Sequence, residues 1–219
     1  MRFGLLSDIH GNKVAIEAVL ADMPAVDAIV CAGDIVGYNP SHRECLERVR
    51  DQSITTIQGN HDRAVAEQGA FGFNSLAGIG VQHAQETLTD EQTTWLGQLP
   101  ASRRVADGRV RLVHGHPADP DRYTYPREFS ADLLGDESVL VLGHTHVQGH
   151  ERFDDGIVVN PGSVGQPRDG DPRAAYAVVD LETLAVTEHR VSYDIERVQQ
   201  AIADAGLPDR LGTRLEEGR

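Results

Sequence analysis

Near its amino terminus the chain reads Leu5-Leu6-Ser7-Asp8-Ile9-His10-Gly11-Asn12. The apolar run that ends at Leu6 predicts a buried strand, and Gly11 predicts a turn into a helix. In an extended segment, residues i and i+2 point to the same side. We therefore expect Asp8 and His10 to present a carboxylate and an imidazole to one point just beyond the strand.

The segments after this stretch alternate between strand-like and helix-like patterns. Ile16, Val19, Leu20 and Met23 recur at the spacing of one helix face, and residues 26–32 form the next apolar run. A strand, a helix and a strand in this order predict two parallel strands joined by a right-handed crossover. Further strands are predicted at 54–57, 110–113, 139–142, 157–159, 174–179 and 184–191. Helices are predicted at 40–50, within 62–99 and at 195–205.

Length and composition fit one globular domain. A chain of 219 residues with 40% hydrophobic and 25% charged residues can bury a full core. We predict a single α/β domain with two sheets and flanking helices at 1–205, followed by a polar C-terminal tail at 206–219. No apolar run approaches the roughly 20 residues that span a bilayer, and the first residues lack a signal-peptide layout. We therefore expect a cytoplasmic protein without membrane contacts.

The charge of the chain limits its partners. The formal net charge is −14, and Lys13 is the single lysine among 20 basic residues. Such a surface disfavours broad binding to nucleic acid or to anionic membranes. If the substrate is anionic, the site needs a local positive charge, which bound metal cations would supply. The oligomeric state is not readable from the sequence.

Metal-ligating side chains follow five of the predicted strands. These side chains are Asp8 with His10, Asp34, Asn60 with His61, His114, and His144 with His146. In open α/β sheets, ligands collect at the carboxyl ends of the strands. Oxygen and imidazole donors without thiolate suit divalent Mn, Fe, Co, Ni or Zn, and this many donors exceed the needs of one ion. We therefore expect two ions that share a carboxylate and activate a bridging hydroxide for attack on phosphorus.

The same motifs resemble those of the calcineurin-like metallophosphoesterase superfamily, and particularly its small prokaryotic phosphodiesterase and diadenosine-tetraphosphatase-like branch. The matching blocks, in the family's order, are Asp8-Ile9-His10, Gly33-Asp34, Gly59-Asn60-His61-Asp62, His114-Gly115-His116 and Gly143-His144-Thr145-His146. The resemblance implies a four-layer αββα sandwich of two mixed β-sheets flanked by helices. It also implies a metal-dependent phosphoesterase acting on a small phosphorylated substrate.

The resemblance assigns roles to individual residues. One metal would be held by Asp8, His10, Asp34 and His146, and the second by Asp34, Asn60, His114 and His144. Asp34 would bridge two divalent ions, with manganese expected first and Fe, Zn, Ni or Co as alternatives.

The remaining assignments concern catalysis and substrate binding. His61 would contact phosphate and, as a cation, protonate the leaving oxygen. Asp62 would either orient His61 or favour the first turn of a helix through its dipole. We expect substrate contacts from Asn60, His61, Tyr38 and His116. A turn role for His116 stays open.

One departure from the family pattern bears on the substrate. Protein phosphatases of the family carry an arginine shortly after the Gly-Asp block, whereas this chain has Ile35-Val36-Gly37-Tyr38 there. A phosphodiester or an inner phosphate of a dinucleoside polyphosphate needs less positive charge than a phosphomonoester dianion. We therefore predict hydrolysis of these bonds, while Arg63 or Arg168 could replace the arginine. A phosphomonoesterase or protein phosphatase, a nuclease and a non-catalytic scaffold with this fold are the alternatives.

Overall fold

The computed structural model describes residues 1–69 and 75–219; the part of the predicted helical middle at 70–74 lies outside the described residues. The strands are β1 (Arg2–Leu6), β2 (Ala28–Cys31), β3 (Thr55–Thr56), β4 (Ser102–Val105), β5 (Val110–Val113), β6 (Val139–Val141), β7 (Gly149–Arg152), β8 (Ile157–Asn160), β9 (Ala174–Asp180) and β10 (Ala185–Val191). The helices are α1 (Lys13–Asp22), α2 (His42–Asp51), α3 (Asn60–Ala66), α4 (Ser75–Thr87), α5 (Asp90–Gly97), α6 (Ile195–Asp204) and α7 (Arg210–Glu217).

These strands form two mixed sheets of five strands each. The first sheet has the order β10-β9-β1-β2-β3, in which β1, β2 and β3 are parallel. The second has the order β4-β5-β6-β8-β7, in which β5, β6 and β8 are parallel. Each sheet therefore contains three neighbouring parallel strands, and the predicted metal-ligating motifs follow strands of these two parallel sets.

Side chains alternate along each strand, so each sheet has two faces. One face of each sheet is apolar, and these two faces pack against each other. On β1, Phe3 and Leu5 belong to the core between the sheets, together with Val30 and Val141. The neighbouring Leu6 belongs instead to the core under the helices. The outer face of the second sheet is covered by two short 3₁₀ helices, Pro126–Glu128 and Ala131–Leu133, and by nearby apolar side chains. The predicted architecture of two mixed sheets with helical flanks is confirmed.

Two β-strands and one α-helix were missing from the sequence prediction. The edge strands β4 and β7 expose most of their side chains, so they lack the apolar alternation that marks a half-buried strand. The segment 206–219 was predicted to be a polar tail, but it contains α7, on which Leu211 and Leu215 are fully buried. These leucines pack with α6 against Tyr38. Within the described residues, no helix combines the length and apolarity that a bilayer crossing requires.

Candidate metal centre

The predicted ligands converge where the carboxyl ends of the parallel strands of the two sheets meet. Three groups of side chains each bring their donor atoms within 4.8 Å of one another. The groups are Asp8 with His10 and His146, His10 with Asp34 and His61, and Asp34 with His114 and His144. Asn60 joins the last group, since its Oδ1 lies 3.0 Å from Nε2 of His114.

Asp34 is central to this cluster. Its Oδ2 lies 3.3 Å from Nε2 of His114 and 3.6 Å from Nε2 of His10. On the other side, Oδ1 of Asp8 lies 3.2 Å from Nε2 of His146. The Nε2 atoms of His10 and His146 are themselves only 3.1 Å apart. Ring nitrogens and carboxylate oxygens therefore point at a common space.

The backbone at the ligand positions is strained. The φ angles of five predicted ligands lie in the left-handed region, at 54° for Asp8, 47° for His10, 57° for Asp34, 67° for His144 and 58° for His146. This conformation costs non-glycine residues on the order of 1 kcal/mol each and is concentrated at functional sites. The expectation that Asp8 and His10 continue an extended strand was therefore wrong, although their side chains do converge.

The end of β8 and the loop after it brace these strained turns. Nδ2 of Asn160, the last residue of β8, donates to the carbonyl oxygen of Gly143 at 2.8 Å and to Oγ1 of Thr145 at 3.0 Å. In the loop, the Ser163 hydroxyl donates to the carbonyl oxygen of Asp8 at 2.7 Å. These bonds hold both turns that carry predicted ligands together.

Hydrogen bonds to main-chain oxygens orient the ligand rings. Nδ1 of His10 lies 2.9 Å from the main-chain oxygen of Val36. Nδ1 of His114 lies 2.7 Å from that of Ala32, and Nδ1 of His146 lies 2.6 Å from that of Gln166. Such partners hold each ring with its Nε2 toward the centre. His144 is reversed: its Nε2 lies 3.1 Å from the Asp121 oxygen, which leaves Nδ1 for the centre.

Burial and neighbouring charges set the protonation of the ligands. Burial lowers the pKa of His144 to about 4 and that of His146 to about 3, so both rings are neutral near pH 7. Burial raises the pKa of Asp8, but nearby histidines outweigh this effect and hold it well below its ordinary value. Burial lowers the pKa of His114, but Asp34 raises it to about 10. Deprotonated carboxylates and neutral imidazoles are the forms that bind metal ions, so His114 has to release a proton when a metal binds.

The donor set fits divalent cations. Oδ1 of Asp8 is fully buried and has no hydrogen-bond donor among residues 1–69 and 75–219, which is costly for a carboxylate oxygen unless a cation satisfies it. Imidazole and carboxylate donors without thiolate suit the metals named above. The chain therefore presents a divalent-metal site.

Adding a divalent metal ion to the chelator-treated protein should raise its Tm. A ligand at 100 times its Kd stabilises the folded state by about 2.7 kcal/mol. For a chain of this size that corresponds to an increase in Tm of about 5–10 °C. Differential scanning calorimetry with and without Mn²⁺ measures the shift. Asp8→Asn should reduce it, and Asp154→Asn in an exposed turn should not. No shift with any of Mn, Fe, Co, Ni or Zn would contradict the metal site.

His61 lies beside the centre at the start of α3. Its main-chain N–H donates to Oδ1 of Asp34 at 2.9 Å, and its ring centroid is 4.8 Å from that of His10 and 4.7 Å from that of Tyr38. A Cβ on Gly37, whose φ is +97°, would lie 2.3 Å from Nδ1 of His61, so only glycine fits there. Burial holds the pKa of His61 well below its usual range, with Asp34 opposing this shift.

Asp62 contacts the backbone of the Gly-Asp turn. Its carboxylate accepts hydrogen bonds from the N–H groups of Asp34 at 2.8 Å, Ile35 at 2.9 Å, Val36 at 3.2 Å and Gly59 at 3.0 Å. Burial and the nearby Asp34 raise the pKa of Asp62 to about 6 in spite of these bonds. Asp62 therefore joins the Asp34 turn to α3, which suits a positioning residue better than one that touches substrate.

Two other predicted residues, His116 and Arg63, contact the loop at 117–127. Nδ1 of His116 accepts the Ala118 N–H at 3.1 Å, as expected of a turn residue. His116 belongs to none of the three donor groups described above. Arg63 forms an ion pair with Asp121 at 2.7 Å. The same loop contributes Tyr123, which no sequence motif marks as a site residue. Its ring stacks on that of His144 with centroids 4.0 Å apart.

The comparisons with known proteins agree with this geometry. Residues 1–184 match the sequence model of the calcineurin-like phosphoesterase superfamily domain. The crystal structure of a metallophosphoesterase from Sphaerobacter thermophilus is similar over the whole of both chains, with 38% identity and a TM-score of 0.88. The uncharacterized protein MJ0912 of Methanocaldococcus jannaschii is 32% identical over 98% of this chain and 97% of its own. The phosphodiesterase YfcE of Escherichia coli is 28% identical over 85% of this chain and 91% of its own.

Proposed function

Because the chain belongs to the calcineurin-like phosphoesterase superfamily of metal-dependent hydrolases, we propose that it hydrolyses phosphodiester or dinucleoside-polyphosphate bonds with two divalent ions. The observation that carries this proposal is the placement of Asp34 between two groups of metal-ligating side chains. The complete donor set favours an enzyme over a scaffold of the same fold.

The donors divide into two sets around Asp34. Asp8, His10 and His146 lie on one side, and His114, His144 and Asn60 lie on the other. Manganese is the metal we expect first. Divalent ions bound there supply Lewis-acid chemistry, polarising a water molecule and neutralising phosphoryl oxygens. The buried carboxylates and the ring orientations described above preorganise the protein for that charge.

The protein's own groups hold and protonate the substrate in this proposal. His61 shares a donor group with His10 and Asp34. We assign it to the leaving oxygen instead of to a metal because the family resemblance places this histidine outside both ligand sets. Burial lowers the pKa of His61, so without substrate the neutral imidazole is favoured over the cationic form expected from the family resemblance. An anionic phosphate beside the ring would favour the cation and so place a proton where the leaving oxygen needs it.

Charge favours a diester over a monoester. Arg63 is already paired with Asp121, and no arginine occupies residues 35–38. Arg168 donates to the Tyr38 hydroxyl and to Oε1 of Gln166, beside the centre. A substrate phosphate with one negative charge therefore matches this part of the site better than a dianion. The relative from Escherichia coli is itself named a phosphodiesterase.

A pair of nitrophenyl substrates tests the proposal. After chelation and reloading with Mn²⁺, the protein should hydrolyse bis(p-nitrophenyl) phosphate with a kcat/KM about tenfold or more above that for p-nitrophenyl phosphate. Release of nitrophenolate measured by absorbance gives both constants, and chelated protein is the control. Preference for the monoester would favour the phosphomonoesterase alternative. No turnover with any divalent metal would favour the scaffold.

A further inference from the structure

Helix α7 lies beyond the residues that match the family domain, yet it reaches the neighbourhood of the metal centre. The domain match ends at residue 184, whereas α7 spans Arg210–Glu217. Leu211 and Leu215 anchor the helix in a core that includes Tyr38. The same helix places the guanidinium carbon of Arg214 5.9 Å from the centroid of the Tyr38 ring.

A second arginine lies against the same tyrosine. The guanidinium carbon of Arg168 is 5.3 Å from the centroid of the Tyr38 ring, and its Nη2 donates to the Tyr38 hydroxyl at 2.9 Å. Burial lowers the pKa of Arg214, and the nearby Arg168 lowers it further, so the two cations lie close enough to repel each other. Bringing them together costs free energy unless an anion lies between or beside them.

Within the part of the chain that the structure describes, no acidic side chain provides that anion. Arg168 donates to Oε1 of Gln166 at 2.8 Å, and Nε of Arg214 donates to the main-chain oxygen of Arg219 at 3.1 Å. Within residues 1–69 and 75–219, neither Arg168 nor Arg214 forms an ion pair with an Asp or Glu side chain, whereas other arginines do. Two half-buried arginines without an Asp or Glu partner among the described residues are unexpected in a chain of net charge −14.

The arginine pair adjoins the metal centre on the side of His61. The Tyr38 ring that both guanidiniums face is 4.7 Å from the His61 ring and 4.8 Å from the His10 ring. The main-chain N–H of Arg168 also donates to the carbonyl oxygen of His146 at 3.1 Å. A group bound by the arginines would therefore be a near neighbour of a phosphate at the metal centre.

We propose that Arg168 and Arg214 form a subsite for a second phosphate group, next to the phosphate that is cleaved. This inference rests on the proposed function and narrows it to substrates with two or more linked phosphates. Guanidinium groups suit the role because their planar donors bind phosphate oxygens in pairs and keep their charge at any physiological pH. Arg214 is then a specificity-determining residue that α7 adds to the family domain.

Substrate discrimination by an Arg214 variant tests the subsite. Wild type and Arg214→Gln are compared on bis(p-nitrophenyl) phosphate, which has one phosphate, and on diadenosine tetraphosphate, which has four linked phosphates. The variant should lose about tenfold or more of its kcat/KM for the tetraphosphate relative to the single-phosphate ester. Arg214→Lys should lose less, because it keeps the charge. Arg210→Gln, an exposed arginine one turn earlier on α7, should keep the wild-type ratio.

Equal losses of Arg214→Gln on both substrates, or an equal change in ratio in Arg210→Gln, would overturn the subsite. The Tm of each variant shows whether α7 is still packed, and Arg214→Lys supplies the comparison if Arg214→Gln unfolds.

Calorimetric titration of inorganic tripolyphosphate into the chelator-treated protein gives a readout without catalysis. Wild type should bind, and Arg214→Gln should weaken that binding about tenfold or more. Equal affinity in both proteins would also overturn the subsite. If wild type hydrolyses neither substrate with any metal, the proposed function fails, while this titration still decides on the subsite.

Discussion

Asp34→Asn is expected to lower kcat/KM for a phosphodiester by a factor on the order of 10²–10³, because it removes the carboxylate shared by both ligand sets. The asparagine keeps the shape of the side chain and an oxygen for the His61 N–H, which bonds to Oδ1 at 2.9 Å in the wild type. It replaces Oδ2, which lies 3.3 Å from Nε2 of His114, by an amide without charge. Loss of the shared charge should therefore impair metal binding and rate together, without disturbing the fold.

Three measurements separate this explanation from a folding defect. The Tm of metal-free Asp34→Asn should stay near that of the metal-free wild type, while the Mn²⁺-induced increase in Tm should become smaller. Asp154→Asn, the same change in the exposed turn after β7, should retain wild-type activity and the full increase. An Asp34→Asn protein that binds two metal ions per chain and keeps its rate would refute the bridging role.

His61→Gln is expected to lower kcat/KM by a factor of about 10²–10⁴ for diesters with poor leaving groups, because a general acid is lost. The main-chain bond from position 61 to Asp34 does not depend on the side chain, so the metal centre should stay intact. The loss should be smaller for nitrophenyl esters, since nitrophenolate departs without a proton.

A series of methyl aryl phosphodiesters measures this dependence. In His61→Gln, log kcat/KM should fall more steeply with increasing leaving-group pKa than in the wild type. The Mn²⁺-induced increase in Tm should be unchanged, and His150→Gln at an exposed position of β7 should behave as wild type. A uniform loss across the series would assign His61 to phosphate binding or structure instead of proton transfer.

Much of the fold and of the ligand set was predictable because both follow from local patterns. Hydrophobic strand patterns such as those at 110–113 and 139–142 predict buried strands, and the polar residues directly after them are then expected at the strand ends. Parallel strands bring those ends to one edge of a sheet. Asp34 and His114 could thus be placed in one centre although 79 intervening residues separate them.

Other features depend on contacts between distant segments. Asp62 looks like a helix-start residue by sequence, and only the packing of α3 on the Gly-Asp turn directs its carboxylate to four main-chain N–H groups. The edge strands escaped prediction because their side chains face solvent on both sides of the ladder.

Local patterns in the sequence suffice for the two-sheet α/β class, for the motifs at the strand ends and for the chemistry of their donors, since strand periodicity and ligand type are local properties. Three features emerge only in the folded chain: α7 is a helix, Arg214 and Arg168 meet at Tyr38, and the ring of Tyr123 stacks on that of His144. These placements depend on which apolar surfaces pack together across the whole chain, and no local spacing of residues records that choice.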